Sequence, residues 1–292
     1  MSQVALLGCG LMGTPMGLRL LDAGFPLQAY NRTPARAEDL ARAGATVYST
    51  PDAAVQGADW VILMLSDARA IESVLADLSP GTVDGRCFIQ MGTILPTESR
   101  VLGERVRAAG GCYVEAPVLG SIPEAREGRL LIMAGAEHDV DVERAAPVLE
   151  ALGSTVRHVG ATGQGAALKL AFNQLIASLT AAFSLSLGLV RREGVEVDTF
   201  MEILRESALY APTFDKKLDK MCSGDFGTAN FPVKHLLKDV RLTHQAAADA
   251  GLSDPWLPLL ADLLEQAADR GLGDADYSAI YSSIVPEAGN RG

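Results

Sequence analysis

Gly8-Cys9-Gly10-Leu11-Met12-Gly13, entered from the apolar run Val4-Ala5-Leu6-Leu7, is the stretch that decides the fold. The apolar run has the length of a buried strand, and Met12 to Leu21 carries helical periodicity closed by Gly24. A glycine-rich string alone is weak evidence, but between a strand and a helix each glycine gains a mechanical role. Gly8 permits the tight turn, and Gly10 lets the backbone approach a pyrophosphate. Gly13 lets the helix pack on the strand, with the first amides, around Leu11 and Met12, facing the phosphates. The pattern predicts a dinucleotide-binding βαβ unit.

The next strand, Leu27-Gln28-Ala29-Tyr30, ends at Asn31-Arg32-Thr33. A carboxylate at position 31 would bond a ribose 2′-hydroxyl and select NAD. Asn31 keeps the hydrogen bonding without the charge. Arg32 offers a bidentate fork to a 2′-phosphate, and Arg36 adds a second cation. NADP(H) is therefore the expected cofactor, with NAD(H) the weaker alternative. The competing reading is a surface Asn-Arg turn that touches nothing.

At 292 residues the chain is long enough for two domains, and 48% hydrophobic residues can fill a large core. Mean hydropathy is +0.17 and the pI is near 4.9. The net charge of −11 argues against nucleic acid or an anionic membrane as partner, so an anionic substrate needs a local basic pocket. Cys9, Cys87, Cys112 and Cys222 show no CxxC spacing, and His138, His158, His235 and His244 form no metal-ligand pair. Neither a metal site nor a disulfide framework is expected, and reduced thiols fit a cytoplasmic protein. Met1-Ser2-Gln3 runs straight into a strand, which leaves no room for a signal peptide.

The first half alternates strand-like runs with helical stretches. Strands are predicted at Trp60–Leu65, Cys87–Met91, Tyr113–Glu115, Leu130–Met133 and Val156–Val159. Helices are predicted between them, at Pro96–Ala109 and Val140–Leu152 among others. This is the signature of a Rossmann-type α/β, doubly wound, mostly parallel sheet, in which some later strands run antiparallel at an edge. After Gly160-Ala161-Thr162-Gly163 the strand signals stop. The expected domains are 1–162 and an all-α C-terminal part, 163–292, joined by a long helix from Gly165 to Arg192. Leu170 to Val190 has no charge and is long enough to span a membrane, but Asn173, Gln174, Ser178, Thr180, Ser184 and Ser186 interrupt it, so a central buried helix is the expectation. Pro286–Gly292 has no packing signal and is expected to fray.

Ligands of such a sheet bind at the carboxyl ends of its strands. Met64 and Leu65, and then Thr93 in Met91-Gly92-Thr93, fall there, although Met64 and Leu65 also read as strand core. The loop Glu115-Ala116-Pro117-Val118-Leu119-Gly120-Ser121 can present the Gly120 amide and the Ser121 hydroxyl to a carboxylate; alone it is an ordinary turn. Lys169 stands near the start of the apolar helix, after Gly163, Gly165 and Ala166, which permit close backbone approach. Asn173 is four positions on and shares its face. Desolvation on such a helix would lower the lysine pKa toward general-acid work; the alternative is a lysine that snorkels to solvent. Lys234 and Lys238 share another helical face, where one could reach a ligand and a solvated charged face is the commoner explanation.

Taken in order, these motifs resemble the β-hydroxyacid dehydrogenases, typified by 3-hydroxyisobutyrate dehydrogenase, and most of all the glyoxylate/succinic semialdehyde reductase branch. The resemblance runs over nearly the whole chain. It is carried by Gly8–Gly13, Asn31-Arg32-Thr33, Ala116–Ser121, Gly163–Leu170 with Asn173, Phe231–His235 leading to Lys238-Asp239, and Gly271–Ser278. It implies that Lys169 is the catalytic lysine and that Asn173 helps hold substrate. It further implies that Gly120 and Ser121 lie in the carboxylate loop, that Thr93 contacts the cofactor and substrate region, and that Lys238 approaches the nicotinamide end. Homodimers or homotetramers are implied too. The chain departs from the family at Leu119, usually Ser, at Gln174, often a second Asn, and at Cys9, usually aliphatic. The resulting expectation is an NADPH-dependent reductase or dehydrogenase of short aldehyde acids and hydroxy acids, of the glyoxylate, succinic semialdehyde or 3-hydroxyisobutyrate type, with a lysine as general acid or base. Its rivals are an imine reductase-like oxidoreductase and a non-catalytic NADP-binding protein.

Overall fold

The computed structural model describes residues 2–227 and 229–286. The chain divides into two compact units between Lys169 and Leu170. The expected boundary lay seven residues earlier, because the start of the long helix packs with the sheet that precedes it. The stretch 287–292, expected to fray, lies outside the described residues.

The first unit runs β1 (Val4–Leu7), α1 (Gly13–Asp22), β2 (Leu27–Tyr30), α2 (Glu38–Arg42), β3 (Thr46–Tyr48), α3 (Pro51–Val55), β4 (Trp60–Leu63), α4 (Ala68–Ala76) and β5 (Cys87–Gln90). It continues with α5 (Pro96–Ala108), β6 (Cys112–Glu115), β7 (Val118–Leu119), α6 (Ile122–Glu127), β8 (Leu130–Gly135), α7 (Asp139–Leu152) and β9 (Gly153–Gly160). The strands form one sheet ordered β3-β2-β1-β4-β5-β6-β8-β7, with β9 on β8. Neighbours from β3 to β6 are parallel, while β8 runs antiparallel to β6 and β7. Both faces are covered, which is why these strands read as unbroken apolar runs. Val4, Leu6, Ile62, Ile89 and Val114 pack with Met16, Leu20 and Leu149 on one side. Ala5, Leu7, Val61, Phe88 and Tyr113 pack with Ile71 and Leu102 on the other. The chain reverses winding at β1, between β2 and β4, so the crevice above the carboxyl end of β1 is the switch point where such sheets take ligands.

Two strands escaped the sequence reading. β3 has three residues at an edge, and β7 has two, set in what reads as a loop. β8 meets β6 only at Glu115↔Gly135, so β7, paired to Leu131 and Ile132, stands beyond the carboxyl edge of the parallel strands.

Helix α8 (Gln164–Arg192) begins in the first unit. The second unit holds the rest of it with α9 (Val197–Glu206), α10 (Pro212–Ser223), α11 (Val233–Asp249), α12 (Leu257–Ala267) and α13 (Ile280–Ile284). Its core stacks Phe183 on Phe214, centroids 4.6 Å apart, among Leu187, Met201, Met221, Leu236, Leu264 and Ile280. Lys217 is clamped to the buried Asp276 carboxylate at 2.8 and 2.9 Å and lies over the Tyr277 ring. The clamp secures the 271–278 loop, whose Ala275 and Gly273 carbonyls accept the first amides of α11, from Val233 and Lys234.

The expectation of a wholly buried α8 is corrected. Leu175, Leu185 and Leu189 are 49, 63 and 61% exposed in the single chain. Three of its hydroxyls are satisfied within the helix: those of Thr180, Ser184 and Ser186 donate to the carbonyls of Ile176, Thr180 and Ala182. They interrupt the apolar run without requiring a partner elsewhere.

Candidate active site

Three glycines shape the turn between β1 and α1, for different reasons. Gly8 has φ +110°, and a Cβ there would stand 2.2 Å from the Met64 carbonyl oxygen; one on Gly13 would stand 1.9 Å from the Gly8 oxygen. At Gly10 a Cβ would meet nothing within 4 Å. Gly8 and Gly13 are thus demanded by the protein itself, whereas Gly10 leaves an open cradle beside the start of α1. That cradle fits the pyrophosphate of a dinucleotide, held by helix-start amides. Cys9 sits inside the turn, and burial pushes its thiol up to about 11, so it remains neutral.

Asn31 is held by the protein at both ends of its side chain. Its Oδ1 accepts the Cys9 amide at 3.0 Å, and its Nδ2 donates to the Thr33 carbonyl at 2.8 Å. Both ends of the side chain brace the end of β2 against the glycine turn. Arg32 and Arg36 are exposed beside it and remain the groups able to meet a 2′-phosphate.

Met64 and Leu65 lie past the end of β4 and are half-buried rather than core. The structure draws them to the turn through the Gly8–Met64 approach and to the next loop through Gly92, whose Cβ would stand 2.7 Å from the Leu65 oxygen. Thr93 follows Gly92, half-buried. Gly8–Gly13, Met64-Leu65 and Gly92-Thr93 therefore form one continuous rim at the carboxyl edge.

The loop Glu115–Ser121 places Ser121 against a carboxylate of the protein itself. Ser121 caps α6, and its amide and hydroxyl both donate to Glu124 Oε2, at 2.8 and 2.7 Å. Its donors are engaged by an internal carboxylate. Gly120, at φ +132°, is exposed at the loop tip, and Leu119 beside it is half-buried.

Sequence reasoning missed Glu115 at the end of β6. It is fully buried; Oε1 accepts the amides of Gly163, Gly165 and Ala166 at 2.8, 2.6 and 3.4 Å, and Oε2 accepts the Ser99 hydroxyl at 2.5 Å. Burial pushes its carboxyl up, and these bonds pull against that. The signal was available as a charged residue ending a buried strand.

Lys169 is half-buried on α8, and Asn173, four positions on along the same helix, is 1% exposed. Asn173 Nδ2 donates to Asp239 Oδ2 at 2.6 Å, while Asp239 Oδ1 lies 3.1 Å from Lys238 Nζ. Asn173 Oδ1 is buried without a hydrogen-bond partner among the described residues. Asp239, the second residue missed, joins Asn173 to Lys238. Lys234, the other lysine of that face, is paired with Asp274 at the surface. Burial and the nearby Lys238 and Lys234 charges lower the His235 pKa. Among the described residues no group of three His, Cys, Asp or Glu side chains could hold a metal.

Comparison with known proteins gives the family of the chain. Residues 3–160 match the family described as the NAD binding domain of 6-phosphogluconate dehydrogenase, and residues 163–284 match the NAD-binding domain of NADP-dependent 3-hydroxyisobutyrate dehydrogenase. Glyoxylate/succinic semialdehyde reductase 1 of Arabidopsis thaliana is 33% identical over 97% of this chain and 98% of its own. The NAD-dependent L-serine dehydrogenase of Pseudomonas aeruginosa is 31% identical over 99% of this chain and 100% of its own. The structure of a Mycobacterium tuberculosis 3-hydroxyisobutyrate dehydrogenase with L-serine superposes with a TM-score of 0.84 at 28% identity, covering 97% of this chain and 99% of that one. With a glycine cradle for a dinucleotide on a doubly wound sheet and a helical second unit matching throughout, the chain belongs to the 3-hydroxyisobutyrate dehydrogenase family of NAD(P)-dependent oxidoreductases acting on CH–OH groups.

Proposed function

We propose that this protein interconverts short aldehyde acids and their hydroxy acids, of the glyoxylate, succinic semialdehyde or 3-hydroxyisobutyrate type, with NADPH preferred over NADH and Lys169 as the proton donor. The observation that carries the reading is the Lys169–Asn173 pair on α8, with the Asn173 amide oriented by the buried Asp239. NADPH, which the glycine cradle and the exposed Arg32 and Arg36 would hold, would supply a hydride for the carbonyl carbon. The Lys169 ammonium bonds the carbonyl oxygen, stabilises the charge that develops there and gives up its proton. Asn173, its Nδ2 held by Asp239, offers Oδ1 to orient the substrate. The Lys238 ammonium is a cation for the nicotinamide end. The substrate carboxylate is anchored by the Gly120 amide and by Ser121 once Glu124 releases it. Leu119 lends the pocket an apolar wall where the family usually carries a hydroxyl. Arg32 and Arg36, with no carboxylate at position 31, support the preference for a 2′-phosphate.

The exposed stripe Ala171, Leu175, Ala182, Leu185 and Leu189 on α8 supports a homodimer or homotetramer, because such a stripe gains stability by packing on a second copy. The test of function is a panel of initial rates pairing glyoxylate, succinic semialdehyde, 3-hydroxyisobutyrate, L-serine and a cyclic imine with each cofactor. The proposal expects the highest kcat/KM for an aldehyde acid with NADPH. A preference for the imine, or no turnover with any pair despite NADPH binding, would contradict it.

A further inference from the structure

The buried Glu115 carboxylate is spent on α8. Oε1 gathers three amides of the helix start, those of Gly163, Gly165 and Ala166. Oε2 is held by Ser99, whose hydroxyl is itself 3.1 Å from the Tyr113 hydroxyl, so α5 and β6 fix the carboxylate from behind. Two glycines make room for it: a Cβ on Gly135 would stand 2.6 Å from Oε1, and one on Gly165 3.1 Å. A helix this long does not require a buried acid to cap it, because exposed serine, threonine or aspartate serves at lower desolvation cost. What this arrangement gives is a fixed axial position and rotation for the first turn of α8. Lys169 lies one turn further, directly above Gly165 on the same face.

We infer that Glu115 is the positioning residue for the proton donor: by holding three amides at the start of α8 on the carboxyl end of β6, it sets where the Lys169 ammonium stands. The inference rests on Lys169 being the proton donor. Oε1 acts as an acceptor, so an amide oxygen in its place preserves the anchor, while shortening the side chain by one methylene pulls it away. Misplacement of a reacting group by about 1 Å costs on the order of 100-fold in rate.

The experiment measures kcat, KM and NADPH Kd for Glu115→Gln, Glu115→Asp and Glu115→Ala, alone and combined with Lys169→Ala. E115Q should keep kcat within about threefold. E115D and E115A should lose about 100-fold in kcat with the NADPH Kd within about threefold of the parent. In the Lys169→Ala background E115D should cost nothing more, since a positioner has no effect once the group it positions is gone. Near-parental kcat in E115D and in E115A, a loss confined to NADPH affinity, or a loss of equal size in the Lys169→Ala background would each overturn the inference. E115D, which fills nearly the same space, keeps the test valid if E115A does not fold. An inactive Lys169→Ala protein beside a fully active E115D refutes the positioning role alone. An active Lys169→Ala protein refutes the lysine reading beneath it.

Discussion

Replacing the glycines of the nucleotide turn one at a time by alanine separates what the fold needs from what the cofactor needs. At Gly13 the new Cβ starts 1.9 Å from the Gly8 carbonyl oxygen, and contacts under 3.0 Å are essentially never seen, so strand and helix must part by about 1 Å or more. Overpacking of this kind costs roughly 1–3 kcal/mol. At Gly8 a 2.2 Å clash with the Met64 oxygen is compounded by φ +110°, which adds on the order of 1–2 kcal/mol. At Gly10 the new Cβ would meet no described residue within 4 Å other than its chain neighbours, so G10A should lose no more than about 0.5 kcal/mol. Its methyl group, however, fills the cradle assigned to the pyrophosphate. Urea denaturation should therefore show G8A and G13A destabilised and G10A near the parent, whereas NADPH fluorescence titration should show G10A weakened at least tenfold, about 1.4 kcal/mol. At one and the same NADPH concentration the Tm of the parent should rise more than that of G10A. If G10A binds NADPH within twofold of the parent, or is as unstable as G13A, the division of roles among the three glycines is wrong.

Other perturbations probe separate parts of the account. Arg32→Asp should reverse or abolish the NADPH-over-NADH preference in kcat/KM; an unchanged ratio would remove the 2′-phosphate argument. Asp276→Ala should cost about 3–5 kcal/mol in urea, because it strands the nearly buried Lys217 ammonium and frees the 271–278 loop; replacing both partners by Met and Leu should cost far less, and a loss under about 1 kcal/mol for D276A would refute the clamp. Asp52 accepts the Ser79 amide and the Ser79 and Thr82 hydroxyls at 2.7, 3.0 and 2.9 Å, which hold its carboxyl below the ordinary 3.8. A depressed carboxylate stabilises the fold above its unfolded pKa and loses that contribution as the pH falls through the folded one. Asp52→Asn should thus cost about 1 kcal/mol at pH 7, discounted for exposure, and a deficit that persisted well below pH 3.8 would contradict the assignment.

Elements governed by local pattern were legible in the chain. β1, the glycine turn and α1 are dictated within about twenty residues, and the apolar runs of β4, β5 and β6 mark strands buried on both faces. What stayed hidden depends on contacts distant in sequence or on donors that could serve two partners. Asn31 carries the same amide whether it meets a ribose or the Cys9 backbone, and only the fold brings Cys9 to it. Ser121 at the tip of a loop reads as an anion donor, yet Glu124 one turn on takes both its donors. Glu115 meets its partners across 48 to 51 residues. A long helix without charge suggested a central buried position, whereas Leu175, Leu185 and Leu189 face outward from the single chain. In each case composition named the group and the tertiary contact named its job.

The central claim is that Lys169 donates the proton in NADPH-dependent reduction of an aldehyde acid. The direct measurement is the initial rate of NADPH oxidation with succinic semialdehyde and with glyoxylate, for the parent and for Lys169→Ala, with NADPH Kd measured alongside. Losing a group that stabilises and protonates the developing alkoxide should lower kcat/KM by about 100-fold or more while the Kd stays within about threefold. If Lys169→Ala keeps more than about a tenth of the parental kcat/KM, the barrier has risen by less than about 1.4 kcal/mol, and the lysine is not the proton donor.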